Sequence, residues 1–146
     1  MELSDNERDY LGSQPLGRLA TIGPDGSPQV RPVGFFVNED LGTIDIGGHS
    51  LGRSQKFHNI QREPRVAFVI DDLASTNPWS PRGIEFRGDA EAITDAQPPG
   101  PGYSGELIRI RPTRVLSWGL DSNAFAPPLA RNPDQHRPAP TSTDQH

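Results

Sequence analysis

The sequence predicts a mainly β (α+β) domain: about six antiparallel strands forming a small closed or half-closed barrel, with short helices. Three observations carry this. Alternating or continuous apolar runs recur at residues 16–22, 29–37, 43–47, 65–71, 83–93 and 106–120. Strong turn signals separate them, above all Gly23-Pro24-Asp25-Gly26-Ser27, whose Asp-Gly pair supplies the positive φ of a hairpin. Between two of the strands, residues 51–62 carry a helical spacing, with Phe57 and Ile60 at i, i+3 and Pro64 as a stop.

The elements follow in chain order. Residues 3–12 predict a short helix: Ser4 stands at the cap, Glu7 at the capping-box position, and Tyr10 and Leu11 fold back on the core. Residues 16–22 alternate as a strand, and residues 29–37 return after the turn. Pro28 and Pro32 lack amide donors, which confines that return strand to an edge or a bulge, and Gly34 leaves its backbone open to close approach. Such a strand suits a flat ligand; it is equally the pattern of a bulged edge that faces none.

Residues 38–42 make the next turn and 43–47 a third strand. Ser50 is placed to cap the helix of residues 51–62, and residues 65–71 are the most apolar strand. Residues 74–82 read as a loop carrying Trp79 between prolines, and residues 83–93 as a strand bulged at Gly88. Residues 94–105 are a flexible, Pro- and Gly-rich connector. Residues 106–120 supply the last strand, or two split at Pro112. From residue 122 the apolar pattern stops, which predicts a flexible tail over 122–146 that cannot offset its ordering entropy.

Composition narrows the function. At 146 residues the chain is one domain by length, here residues 1–121. A net charge of −5 without a basic tract argues against nucleic acid. The absence of cysteine excludes disulfides, thiolate metal sites and cysteine nucleophiles, and no metal site is expected. No apolar run is long enough to cross a membrane, and residues 1–10 are acidic and polar rather than signal-like, so a cytoplasmic location is expected.

Against that acidic background, residues 49–70 hold four basic side chains (Arg53, Lys56, Arg62, Arg65) and one acid, Glu63. A compact positive site suggests a small anion. A helix N-terminus offers amide donors, Arg53 a planar two-pronged donor and Lys56, the chain's single lysine, a point charge. The competing reading of Arg53 and Lys56 is an ordinary solvated helix face. Asp71 and Asp72 are adjacent on a strand and point to opposite faces, so they are not a paired-carboxylate site.

Four blocks then carry a resemblance: LGRLATIGPDGSPQVRPVGF, GGHSLGRSQKFHNIQREPRVAFVIDD, PWSPRGIEFRGDAEAI and IRIRPTRVLSWGLD. They resemble the pyridoxamine-phosphate-oxidase-like split-barrel superfamily, and within it the small enzymes identified as probable users of the deazaflavin coenzyme F420. The resemblance covers about residues 16–121. It implies a six-stranded antiparallel split β-barrel of the FMN-binding type, acting as a homodimer. It also implies a planar ring at the subunit interface along Arg31, Pro32, Val33 and Gly34, and a cofactor phosphate near His49, Ser50, Arg53 and Lys56. Trp79 and Trp118 of the partner subunit best fit a cover over the ring, although Trp79 is equally a dimer anchor.

The implied activity is an oxidoreductase moving a hydride between reduced F420 and a small organic substrate at the dimer interface. No residue is assigned to catalysis, and His49 reads more readily as a backbone-bonded loop histidine than as a proton donor. An FMN oxidoreductase of the same fold and a non-catalytic flavin or deazaflavin carrier remain alternatives.

Overall fold

The computed structural model describes residues 1–98 and 100–133. Eight strands form one antiparallel sheet: β1 Gly17–Ile22, β2 Pro28–Val33, β3 Phe36–Asn38, β4 Thr43–Ile46, β5 Arg65–Thr76, β6 Trp79–Ile93, β7 Leu107–Trp118 and β8 Leu129–Arg131. Their order is β2-β1-β5-β6-β7-β4-β3, with β8 added beside β7. The sheet is split-barrel-like and does not close.

Six strands were expected, and the two extra ones have separate causes. The run at residues 29–37 breaks at Gly34 and Phe35 into β2 and β3, which stand at opposite ends of the strand order. Without that break one strand would have to occupy both ends. The second addition, β8, lies in the stretch expected to be a flexible tail. Its three residues pair with β7 from Ser117↔Leu129 to Val115↔Arg131, and Arg131 grips Glu7 with two bonds of 2.9 and 2.8 Å. An ion pair with a buried carboxylate holds what composition alone would leave loose. The rest of the expected tail, residues 134–146, lies outside the described residues.

The helices are α1 Asp5–Ser13 and α2 Gln55–Arg62. In α1 the capping box forms as expected: the Glu7 amide donates to Ser4 Oγ at 3.1 Å and the Ser4 amide to Glu7 Oε1 at 2.9 Å. Tyr10 and Leu11 are buried beneath it. The helix expected over 51–62 is interrupted. Residues Leu51–Arg53 form one 3-10 turn, and α2 begins after Ser54, whose Oγ accepts the Phe57 amide at 3.3 Å. Ser50 makes no side-chain cap. Extended backbone at Ser54 lets the second serine, rather than the first, reach the helix amides.

The loop expected at residues 74–82 is instead the end of a hairpin. Pairing of β5 with β6 continues past a bulge after Leu73 to Ser75↔Ser80 and Thr76↔Trp79. Pro112 does not split β7. The register slips by one residue between Arg87 and Gly88, so that Arg87 faces Arg114 and Gly88 faces Pro112. The extra residue, Thr113, absorbs the missing proline donor, and Gly88 accepts the close approach of the Arg111 carbonyl.

The core lies inside the curl of the sheet. Phe68, Phe86, Ile44 and Ile110 are fully buried, with Phe57 and Ile60 of α2 set against them. Each such apolar side chain contributes about 1.5–3 kcal/mol by leaving water. No helix among the described residues is long and apolar enough to cross a membrane.

Candidate functional site

The site grows from the way α2 is fastened. Asn59 is fully buried, and its amide donates to Thr21 Oγ1 on β1 and Gln29 Oε1 on β2, both at 2.9 Å. Arg62 adds a bond to the Ile22 carbonyl at 3.2 Å. Lys56 stands one turn before Asn59 and therefore on the same flank, toward the β1–β2 hairpin.

There its charge lies within electrostatic reach of Arg31. Burial in the first place, and then the Arg31 guanidinium, hold the half-buried Lys56 ammonium below its ordinary pKa. Arg31 is exposed on β2 and donates to the adjacent Val30 carbonyl at 2.9 Å. Among the described residues eight arginines pair with carboxylates. Arg31 and Lys56 do not. Two neighbouring cations, one of them partly desolvated, are an unfavourable pair unless an anion joins them. A phosphate supplies the missing charge, so the residues present fit a phosphate-bearing cofactor.

The remaining expected residues divide by location. Pro32 lies on the same terminal strand, which has no ladder partner on its outer side among the described residues. Val33 is 8% exposed and turns its side chain into the core, so a ligand there meets backbone rather than valine. At Gly34 an added Cβ would find only the Pro15 carbonyl, 3.9 Å away; the close approach expected there is sterically open.

His49, Ser50 and Arg53 share a separate open cleft of ≈ 440 Å³ with His58, Ser104 and Glu106. Lys56 is not among its lining residues. The 3-10 turn thus divides Arg53 from Lys56, which the helical spacing had put together. The free amides expected at this turn are also engaged: Leu51 donates to Ser104 Oγ at 3.2 Å and Gly52 to Glu106 Oε1 at 3.1 Å. The Ser104 hydroxyl first, and then that Gly52 amide, hold the Glu106 carboxyl below its usual range.

The tryptophans lie elsewhere in the chain. Trp79 is 57% exposed at the tip of the β5–β6 hairpin. That tip is about 30 Å of strand from Arg65, at roughly 3.3 Å per residue. Trp118 ends β7 opposite Gly83, where an added Cβ would come within 2.5 Å of the indole. Neither tryptophan lines the cleft within one chain.

Residues 100–106 contribute what no motif indicated. The Ser104 amide donates to the Gly48 carbonyl at 2.8 Å, His49 bonds through Nδ1 to the Gly102 carbonyl, and Tyr103 stacks on His49 with centroids 5.7 Å apart and planes at 18°. Phe36 meets Tyr103 edge-on at 6.0 Å. The connector expected to be flexible is clamped over the start of the site. Its one aromatic residue, Tyr103, in a Pro- and Gly-rich run was the available signal.

Comparison with known proteins now bears on this arrangement. The pyridoxamine 5'-phosphate oxidase family matches residues 3–118. A 5a,11a-dehydrotetracycline/5a,11a-dehydrooxytetracycline reductase of Streptomyces rimosus subsp. rimosus is 40% identical over 124 residues, covering 84% of this chain and 87% of the relative. A solved F420 reductase is similar with a TM-score of 0.55 and 27% identity, over 73% of this chain and 94% of that one. An FMN-binding, pyridoxamine 5'-phosphate oxidase-related protein of Nostoc punctiforme has the same fold, with a TM-score of 0.64 at 15% identity over 93% and 94% of the two chains. With the family matched across nearly the whole described chain and a relative at 40% identity, this protein belongs to the pyridoxamine 5'-phosphate oxidase family and is an oxidoreductase of that family.

Proposed function

We propose that the chain is a deazaflavin (coenzyme F420)-dependent reductase acting on a small conjugated organic acceptor. The observation that carries this is the Arg31–Lys56 pair: two cations without a carboxylate partner among the described residues, one of them on a terminal strand that has no outer neighbour among those residues. They would hold the cofactor phosphate, leaving the ring against the backbone of Pro32 to Gly34. Bound there, the reduced deazaflavin supplies a hydride and the protein supplies position and charge. The reductase relative and the F420 reductase neighbour support the same reading. The ring would lie between two copies of the chain in a homodimer, covered by Trp79 of the partner subunit or Trp118 of the partner subunit. Acceptors resembling the dehydrotetracyclines named for the relative are the first to try.

One observation favours FMN instead. A deazaflavin tail extends beyond its phosphate and needs a longer basic groove, for which Arg62, Arg82 and Arg87 are the available side chains. Arg82 is bound through two nitrogens to Asp72, and Arg87 likewise to Glu85. Of the three, Arg62 alone lacks a carboxylate among the described residues.

Fluorescence titration of the purified protein with each cofactor separates the readings. The expected result is tight binding of the deazaflavin, then consumption of its reduced form with a conjugated acceptor. Binding of FMN and not the deazaflavin overturns the cofactor; deazaflavin binding without turnover of any acceptor leaves a carrier.

A further inference from the structure

We propose that His49 donates the proton that completes the reduction, from Nε2, into the cleft bordered by Arg53, His58 and Glu106; this rests on the hydride-transfer reading above. Adding a hydride to a conjugated acceptor leaves an anion that must take up a proton. The acceptor gains one C–H bond from the hydride and one O–H or C–H bond from the imidazolium. The reduced deazaflavin ends two electrons oxidised, and water returns the proton to His49.

The geometry fixes which nitrogen is available. A carbonyl oxygen can only accept, so the Gly102 contact requires the hydrogen on Nδ1. When the ring is protonated, its second hydrogen is on Nε2, which has no protein partner among the described residues. Gly102 has φ +85°, and a Cβ there would stand 3.3 Å from His49 Cε1, so the backbone lies directly against the ring. Tyr103 stacks on the imidazole and Phe36 abuts Tyr103, giving an aromatic row from β3 to the cleft. Phe36 begins two residues after Gly34, so this row starts beside the strand assigned to the cofactor ring.

The other charged or titratable groups of the cleft are less suited. Glu106 is held ionised by Ser104 and Gly52, so it accepts rather than donates. Arg53, on the 3-10 turn, does not release a proton. His58, on α2, also bonds a backbone carbonyl, that of Gly52 through Nε2 at 2.9 Å, but among the described residues no aromatic side chain stacks on it as Tyr103 does on His49.

The test compares the full-length protein with His49→Gln and Gly102→Ala. In the cofactor-free protein above the imidazole transition, nitrogen NMR should find the His49 hydrogen on Nδ1. Rapid-mixing kinetics with reduced deazaflavin and a conjugated acceptor should show His49→Gln slower by about 100-fold, without the imidazole step in its pH profile. Cofactor affinity should change by no more than about threefold, and added imidazole should restore part of the rate. Gly102→Ala should lower the rate while keeping a shifted pH step. A hydrogen on Nε2 in the cofactor-free protein overturns the proposal. So does normal cofactor binding with an unchanged pH profile in His49→Gln. A wild-type protein that binds no deazaflavin overturns the functional reading and this proposal together, and the titration alone reveals it.

Discussion

Lys56 shows how a binding residue weakens the fold that carries it. Its ammonium loses water on burial and faces Arg31, and both effects lower its pKa from 10.5. Between the lowered value and 10.5 the unfolded chain binds more protons than the folded one, so stability rises with pH through that window. Lys56→Met should therefore raise the melting temperature of the cofactor-free protein at neutral pH and remove that part of the rise, as calorimetry can check. The same position should matter oppositely for binding. Lys56→Ala is expected to weaken cofactor affinity by about 1.5–3 kcal/mol, roughly 10- to 150-fold by fluorescence titration. Unchanged affinity would remove Lys56 from the phosphate site.

Glu7 is the structural counterpart. Burial pushes its pKa up, but the Arg131 fork and the Ser4 amide outweigh burial and hold it below 4.5. A carboxylate with a depressed folded pKa gives stability that is complete above its unfolded pKa. That stability fades as pH falls through the folded value. Glu7→Gln should cost on the order of 2 kcal/mol at pH 7, below the roughly 3–5 kcal/mol of a fully buried pair because the Arg131 side chain is 36% exposed. The variant should also lose part of the acid sensitivity below pH 4.5 in denaturant melts.

At the scale of elements, two changes test how the sheet is held. Gly88 faces the Arg111 backbone more closely than any Cβ tolerates, and neither partner is a flexible side-chain end. Gly88→Ala should cost about 1–3 kcal/mol by forcing the β6–β7 ladder apart, read as a lower denaturant midpoint. Removal of residues 123–146 addresses β8. Composition alone predicts almost no change in melting temperature, because a Pro-rich polar stretch buries little. With Arg131 on Glu7, the same deletion leaves a carboxylate of 1% exposure without its cation. A fall of several degrees is the expected result; an unchanged transition would show that β8 contributes nothing.

At the scale of the whole molecule, one chain presents its apolar residues at places a single copy leaves open. Val30 on the terminal strand is 55% exposed and Trp79 on the hairpin tip 57%. Sedimentation equilibrium should give a dimer, if the cofactor ring lies between two copies as proposed. Val30→Glu should shift it toward monomer and weaken cofactor binding in parallel. A tightly binding monomer would separate the phosphate site from any subunit interface.

Much of the fold was legible because it rests on short-range rules. The Ser4–Glu7 box, the edge placement of a proline-bearing strand, the buried flank of α2 and the bulge at Gly88 each follow from residues that are neighbours in sequence. The candidate site was legible in part: Arg31 and Lys56 were named as candidates, and the fastening of Asn59 to Thr21 and Gln29 sets α2 against the hairpin that carries Arg31. The grouping of Arg53 with Lys56 did not hold, because Ser54 interrupts the helix and turns Arg53 to the other side. Tyr103, Ser104 and Glu106 reach the site across more than fifty residues of chain, and no local period encodes a hydrogen bond of that span.

By itself, then, the sequence determined which segments are extended or helical and which cations stay near the one internal helix. These depend on side-chain alternation, proline's missing donor and glycine's freedom. Tertiary structure alone decided that β2 and β3 part to opposite ends of the sheet, that an apparent tail supplies a strand and a buried counter-charge, and that His49 is aimed by Gly102 and Tyr103. Those outcomes depend on distances between residues far apart in the chain, which become defined only when the sheet has curled and excluded water.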